Sequence, residues 1–217
     1  WTPVEYLESA EGWSISDAAA DGHAFTVRWA GASAGRAVWP LSGAHNVRNA
    51  LAAVAAARRA GVDPSRAAAA LAGFKGVKRR MEVIATIDGV TLYDDFAHHP
   101  TAVAATLQGL RAAVGGQRII VVLEPRSNTM RLGVHKNDLA PALAGADKVL
   151  LYQAPDLPWS LDEVAAALSC PSLVCGDVDT MVAEIAAAAR PGDHVVIMSN
   201  GAFGGIQKRL QEALLSR

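Results

Sequence analysis

Asp94 and Asp95 stand side by side at the end of an apolar run, His98 and His99 follow within four residues, and Pro100 comes next. Val90, Leu92 and Tyr93 read as strand, whereas Val103, Leu107, Leu110 and Val114 recur at helical spacing, with Pro100 pre-organised for the first turn. The two carboxylates are therefore predicted at the carboxyl end of a strand. In open α/β sheets the ligand crevice lies at that edge, and the helix that follows presents unpaired N–H groups suited to a phosphate. A second reading uses the same residues without a ligand: Asp94 and Asp95 cap a turn, and His98 and His99 are exposed polar side chains.

Other residues could act beside them. Asn46 and Asn49, three apart in Gly43-Ala-His-Asn-Val-Arg-Asn, share a helix face, and an amide can pair with both N6 and N7 of adenine; either could instead cap the helix. Lys78, Arg79 and Arg80 form a basic run that is either a solvated surface or a hinge from which a guanidinium reaches a phosphate. Glu124-Pro-Arg-Ser-Asn-Thr-Met-Arg begins where the apolar strand Ile119–Leu123 ends, which places Arg126, Ser127, Asn128 and Thr129 in one polar loop at a sheet edge. The last strand, Val195-Val-Ile-Met, runs into Ser199-Asn-Gly-Ala-Phe-Gly-Gly, whose glycines permit close backbone approach or an anion nest. Three polar strand ends in one sheet form a stronger signal than any of them alone.

The elements that must position these residues follow from pattern. Residues 1–12 lack a clear period, and Pro3 with Gly12 suggests an irregular lead-in. Trp13–Asp17, Ala24–Trp29 and Ala37–Leu41 read as a small antiparallel meander, followed by Ala-rich helices near Val47–Ala60 and Pro64–Gly73, with Asp63 as N-cap of the second. The basic, glycine-containing stretch Phe74–Arg80 is the expected domain boundary. Beyond it strands near 81–87, 91–93, 118–123, 148–151, 172–174 and 194–198 alternate with helices near 100–114, 137–144, 161–168, 179–189 and 205–215. Such alternation, with strands as apolar as Ile119-Ile-Val-Val-Leu, predicts an α/β domain with a mostly parallel sheet and flanking helices.

Composition removes several function classes. With 20 basic against 21 acidic residues there is no whole-chain field to hold nucleic acid or an anionic membrane surface. No apolar run approaches the roughly 20 residues of a membrane-spanning helix, and no basic segment followed by an apolar one opens the chain, so a cytoplasmic location is expected. Cys170 and Cys175 lack zinc-site spacing and read as reduced structural thiols. A start at Trp1 in place of methionine suggests part of a longer protein. No G-x-G-x-x-G follows the first strand of the sheet, which argues against a nicotinamide oxidoreductase.

At Gly43-Ala-His-Asn-Val-Arg-Asn-Ala, Lys78-Arg-Arg-Met-Glu, Tyr93-Asp-Asp-Phe-Ala-His-His-Pro-Thr, Glu124-Pro-Arg-Ser-Asn-Thr-Met and Met198-Ser-Asn-Gly, in that order, the chain resembles the Mur ligase family. The resemblance runs from about residue 36 to the end and departs at Ala202 and Gln207, where a second glycine and a histidine are expected. It implies that residues 1–80 are the end of a central ATP-binding domain, a partial ATPase unit of short strands and two Ala-rich helices. Residues 81–217 would be a C-terminal Rossmann-like domain. It also implies ATP and Mg2+ as cofactors, and UDP-N-acetylmuramate and a murein tripeptide as substrates of an amide ligase acting through an acyl phosphate in peptidoglycan recycling. The alanine-adding branch and a non-catalytic nucleotide-binding module are the alternatives.

By matching motif, Asn46 and Asn49 would face adenine, Arg80 the phosphates and Asp95 the ribose. His98 and His99 would flank the reacting phosphate, and Arg126, Ser127, Asn128 and Thr129 would take the peptide. No G-x-x-G-K-[ST] phosphate loop occurs in these 217 residues, so no metal ligand is assigned here, and the Mg2+ site is expected mostly in an absent part.

Overall fold

In the computed structural model, which describes residues 4–217, the chain divides into two compact units, Trp1–Gly76 and Val77–Arg217. The division falls inside the basic stretch 74–80. Pro3, read as part of the lead-in, lies outside the described residues.

In the first unit β1 (Trp13–Ser16), β2 (Ala24–Trp29) and β3 (Ala32–Val38) form an antiparallel meander in that order. Trp13, Phe25, Val27, Ala37 and Trp39 turn to one side and are covered by α1 (Ala44–Arg59) through Val47, Ala50, Leu51 and Val54, a stripe at helical spacing. The third strand lies earlier than the expected Ala37–Leu41. It ends before Trp39-Pro40, where proline has no N–H for a ladder, and it begins among small residues whose packing value does not show in a hydrophobicity pattern. One of them is Gly35, where a Cβ would come within 2.8 Å of the Ser65 Cα, so α2 (Pro64–Ala70) packs directly on the strand backbone. Asp63 caps α2, accepting from the N–H groups of Ser65 and Arg66.

The second unit holds a sheet ordered β4-β5-β9-β6-β7-β8: β4 (Glu82–Ile87), β5 (Val90–Asp95), β6 (Ile119–Leu123), β7 (Lys148–Tyr152), β8 (Ser172–Cys175) and β9 (His194–Met198). Only the β4–β5 hairpin is antiparallel among the paired strands of this sheet; the rest run parallel. Alternation along β6 explains the layers. Ile119, Val121 and Leu123 face α3 (Pro100–Val114), α5 (Lys136–Ala142) and α6 (Asp162–Ala166), whereas Ile120 and Val122 face α7 (Val178–Ala188) and α8 (Ile206–Leu215). A short α4 (Asn128–Arg131) lies inside what reads as loop in the sequence. Its four residues carry no apolar period, so no helical signal could appear.

Strand order decides where a ligand can lie. The chain steps outward from β5 to β6, β7 and β8, then returns through α7 to insert β9 between β5 and β6. The carboxyl ends of β5, β9 and β6 thus sit side by side at a topological switch point. Among the described residues no helix is long and apolar enough to cross a membrane. The thiols of Cys170 and Cys175 are free, and burial pushes both up from their ordinary range, which keeps them protonated.

Candidate functional site

Three strand ends meet at this edge. β5 delivers Asp94 and Asp95, β6 delivers Glu124 and Arg126, and β9 delivers Ser199, Asn200 and Gly201. Asp95 is 2% exposed; its Oδ2 accepts from the Met81 N–H and its Oδ1 from the Ala97 N–H, both at 2.7 Å. Both N–H groups belong to turns, one entering β4 and one leaving β5, so the carboxylate pins the two ends of the hairpin. Turn bracing by Asp95 is therefore observed. Met81 and, two residues earlier, Arg79 hold left-handed backbone (φ 48° and 58°), a conformation that non-glycine residues adopt only when the surroundings enforce it.

Arg79, not Arg80, turns inward. Its Nη2 donates to the carbonyls of Ser199 (2.6 Å) and Gly201 (2.9 Å), and its guanidinium lies 5.4 Å from the Phe96 ring centre. Its Nε lies 3.3 Å from Asp94 Oδ2, an ion-pair distance at an angle that makes no hydrogen bond, so that buried N–H has no hydrogen-bonded partner. Gln207 donates to Asp94 from the other side, at 3.2 Å. The glutamine that departs from the family pattern thus still holds a strand-end carboxylate. Arg80 is exposed, with its guanidinium 5.5 Å from the Phe96 ring centre, and is open to an anion from solvent.

His99 caps α3: its Nδ1 accepts from the Thr101 N–H at 3.3 Å, and its ring meets His135 edge-on at 4.4 Å. His98 Nδ1 lies 2.9 Å from the Phe96 carbonyl and donates to it.

Glu124 is buried at the end of β6 and takes the Ser199 hydroxyl on Oε2; the same hydroxyl accepts from the Gly201 N–H at 2.8 Å. Arg126, exposed, lies 3.8 Å from Glu124 Oε1 and passes over Gly201, where a Cβ would meet its Cδ at 2.6 Å. That close approach is what the glycine provides. Ser127 caps no backbone N–H with its hydroxyl, and Asn128 and Thr129 are exposed on α4. Beyond Arg126 a cleft of about 230 Å³ opens toward the end of β7, bounded by Glu124, Arg126, Arg131, Tyr152, Asp156 and Leu157. Sequence reasoning does not single out Arg131, Tyr152 or Asp156. The cue lies in Lys148–Leu151 emptying into Tyr-Gln-Ala-Pro-Asp, a further strand end at the same edge.

Asn46 and Asn49 belong to the first unit. Asn46 Nδ2 donates to the Ser42 carbonyl at 2.7 Å and ties back the lead into α1, which occupies one of its two amide N–H donors; Asn49 is exposed with its amide open to solvent. Taken unit by unit, the Asn49 amide and the Arg80 guanidinium each suit the edge of a nucleotide. Neither is a metal ligand for a triphosphate–Mg2+ centre. Among the described residues no cluster of three histidine, cysteine or acidic side chains could hold a metal, and no phosphate loop occurs in the sequence.

A mostly parallel α/β unit with polar residues gathered at its switch point has the architecture in which ligands lie at the carboxyl ends of the strands. Residues 79–201 match the Mur ligase, glutamate ligase domain, and the chain belongs to the Mur ligase family. It is 47% identical, over its whole length, to the UDP-N-acetylmuramate–L-alanyl-γ-D-glutamyl-meso-2,6-diaminoheptandioate ligase of Escherichia coli (strain K12), of which it covers 48%. Over 74% of its length it is 42% identical to the UDP-N-acetylmuramate–L-alanine ligase of Mycolicibacterium vanbaalenii, covering 35% of that protein. Among solved structures, a murein peptide ligase of Psychrobacter arcticus matches 93% of the chain at 41% identity with a TM-score of 0.68, and 44% of that protein is covered. The chain spans about half the length of the curated relatives it matches.

Proposed function

We propose that this chain is the part of an ATP-dependent amide ligase that receives the amino substrate, in a protein that joins UDP-N-acetylmuramate to L-alanyl-γ-D-glutamyl-meso-diaminopimelate during peptidoglycan recycling in the cytoplasm. In this reading residues 1–80 end the central ATP-binding domain and 81–217 form the C-terminal Rossmann-like domain. One observation carries it: the cleft at the ends of β6 and β7, beside which the bond from Ser199 to buried Glu124 fixes a loop that presents the Arg126 guanidinium to solvent. Identity of 47% over the whole chain to a ligase named for that substrate supports the choice of peptide over free alanine.

ATP supplies the phosphoryl group that turns the muramate carboxylate into an acyl phosphate. The chain's own side chains position and stabilise charge. Arg126 grips a peptide carboxylate with two parallel hydrogen bonds, and Ser127, Asn128 and Thr129 add short polar contacts from α4. Arg80, His98 and His99 lie toward the nucleotide phosphates. Asn49 and Asn46 are assigned to the adenine, the latter through its carbonyl oxygen. Asp95 orders the hairpin end by holding the Met81 and Ala97 N–H groups beneath the nucleotide-facing loop.

The test is steady-state phosphate release by the complete protein with Mg-ATP, UDP-N-acetylmuramate and tripeptide. Arg126→Lys loses the two-pronged geometry and should raise KM for the tripeptide at least tenfold, roughly the loss of one charge-assisted hydrogen bond, with KM for ATP little changed. A rise in both, or in ATP alone, refutes the assignment, and turnover with L-alanine in place of tripeptide favours the alanine-adding activity.

A further inference from the structure

The loops that follow β6 and β7 are tied to each other by one indole. Trp159, packed against the core on the α3 side of the sheet, donates from Nε1 to the carbonyls of Met130 (3.0 Å) and Arg131 (3.1 Å). An indole nitrogen only donates and needs an acceptor where water is kept away, whereas the last carbonyls of a helix have no partner within it. Helix α4 is one turn of four residues, too short to hold its own shape. Trp159 closes its carboxyl end from a different loop.

The indole is held in its turn. The Trp159 carbonyl accepts from Gln153 Nε2 at 3.0 Å, and Gln153 Oε1 accepts from the Leu161 N–H at 2.8 Å, so one amide braces the turn that carries the ring. Gly133, in left-handed backbone (φ 70°), lies against the ring, where a Cβ would stand 3.3 Å from Cδ1 and 3.4 Å from Nε1. A second tie between the two loops, Arg131 Nη2 to Asp156 Oδ2 at 2.9 Å, joins exposed side chains and contributes little. Geometry between the loops therefore depends on the indole.

We propose that Trp159 is a positioning residue for the ligase reaction: by ending α4 it fixes where Ser127, Asn128 and Thr129 stand and how far the β6 loop lies from the β7 loop. The inference rests on the proposed ligase reading, in which the β6 loop takes the tripeptide. Without the indole N–H, α4 leaves its binding position for part of the time, and apparent affinity falls with the fraction that remains in place. One neutral hydrogen bond shifts such an equilibrium by about two- to tenfold. The effect is bounded and falls on one substrate.

Trp159→Phe in the complete protein keeps a ring against Gly133 and removes the N–H. Expected is a rise of about two- to tenfold in KM for the tripeptide, with kcat and KM for ATP within about twofold of the parent. Gly133→Ala presses a methyl group on the same ring from the other side and should give the same selective rise. Should Trp159→Phe fail to fold, the Gly133→Ala arm decides alone. A folded Trp159→Phe with a lower thermal midpoint and unchanged KM for the tripeptide has lost only packing, and that result overturns the positioning role while the ligase reading stands. An equal rise in KM for ATP and tripeptide overturns it too. A parent protein that joins no tripeptide refutes the ligase reading and this inference with it.

Discussion

Asp95→Ala should unfold the second unit more readily before it changes any chemistry. The variant deletes an acceptor that holds the N–H groups of Met81 and Ala97, each at 2.7 Å, in a place 2% exposed to solvent. A main-chain N–H bonded to a charged acceptor contributes roughly 1.5 to 3 kcal/mol. Two such bonds set an upper bound near 6 kcal/mol, on the same scale. The Met81 side lies in a half-buried turn where water can replace part of the loss, so the expected destabilisation is about 3 kcal/mol. For a chain of this size that corresponds to a fall in Tm of roughly 10 °C. Released from Asp95, the left-handed backbone at Arg79 and Met81 loses what enforces it, and Arg79 withdraws from the carbonyls of Ser199 and Gly201.

Thermal unfolding of the 217-residue chain followed by circular dichroism gives the midpoint, and amide hydrogen exchange locates the damage. Protection should fall first at the Met81 and Ala97 amides and next in the turn after β9. Unchanged midpoint and protection, together with weakened nucleotide binding by the complete protein, would refute the bracing role and return Asp95 to ligand contact alone.

Three further outcomes follow from single contacts. Gly201→Ala puts a methyl group 2.6 Å from the Arg126 Cδ, and since that atom belongs to a flexible side chain, stability should change by less than about 0.5 kcal/mol while Arg126 is displaced and KM for the tripeptide rises. Burial lowers the pKa of His194 from its ordinary 6.5, against the pull of Asp193. The unfolded chain therefore takes up the proton more readily, stability is full above pH 6.5 and declines as pH falls below it, and His194→Gln should flatten that decline in urea midpoints measured at about pH 7.5 and 5.5. Arg118→Met, which strips the buried Asp193 of its guanidinium and the Ala188 carbonyl of a donor, should cost about 3 kcal/mol in the same urea assay.

What is legible in the sequence and what is not divides along a physical line. Helix α3 is readable to the residue because proline starts it and Val103, Leu107 and Leu110 mark one face. The sheet is readable because strands buried on both sides have few alternatives to an apolar run. The polar strand ends follow from that frame. Direction is not readable. Lys78, Arg79 and Arg80 are three adjacent cations, and only the left-handed turn at Arg79 decides that it faces Asp94 and Ser199 while Arg80 stays outside. Nor does the sequence show that Asn46 spends a donor on Ser42.

Side-chain direction also bears on the binding proposed for this edge. A switch point places strand ends together but does not keep their polar groups available, since neighbouring carboxylates and guanidiniums tend to satisfy each other. Here the inner groups are consumed in structure: Asp95 by two backbone amides, Glu124 Oε2 by Ser199, and Arg79 by two carbonyls. Those bonds hold the loops rigid. The outer groups, Arg80, Arg126 and the Oε1 face of Glu124, are left with long contacts and so keep their capacity for a ligand. Rigid inner pairs beneath loosely paired outer ones are what a preorganised binding edge requires, and a variant that tightened the 3.8 Å pair into a direct hydrogen bond would be expected to gain stability and lose substrate.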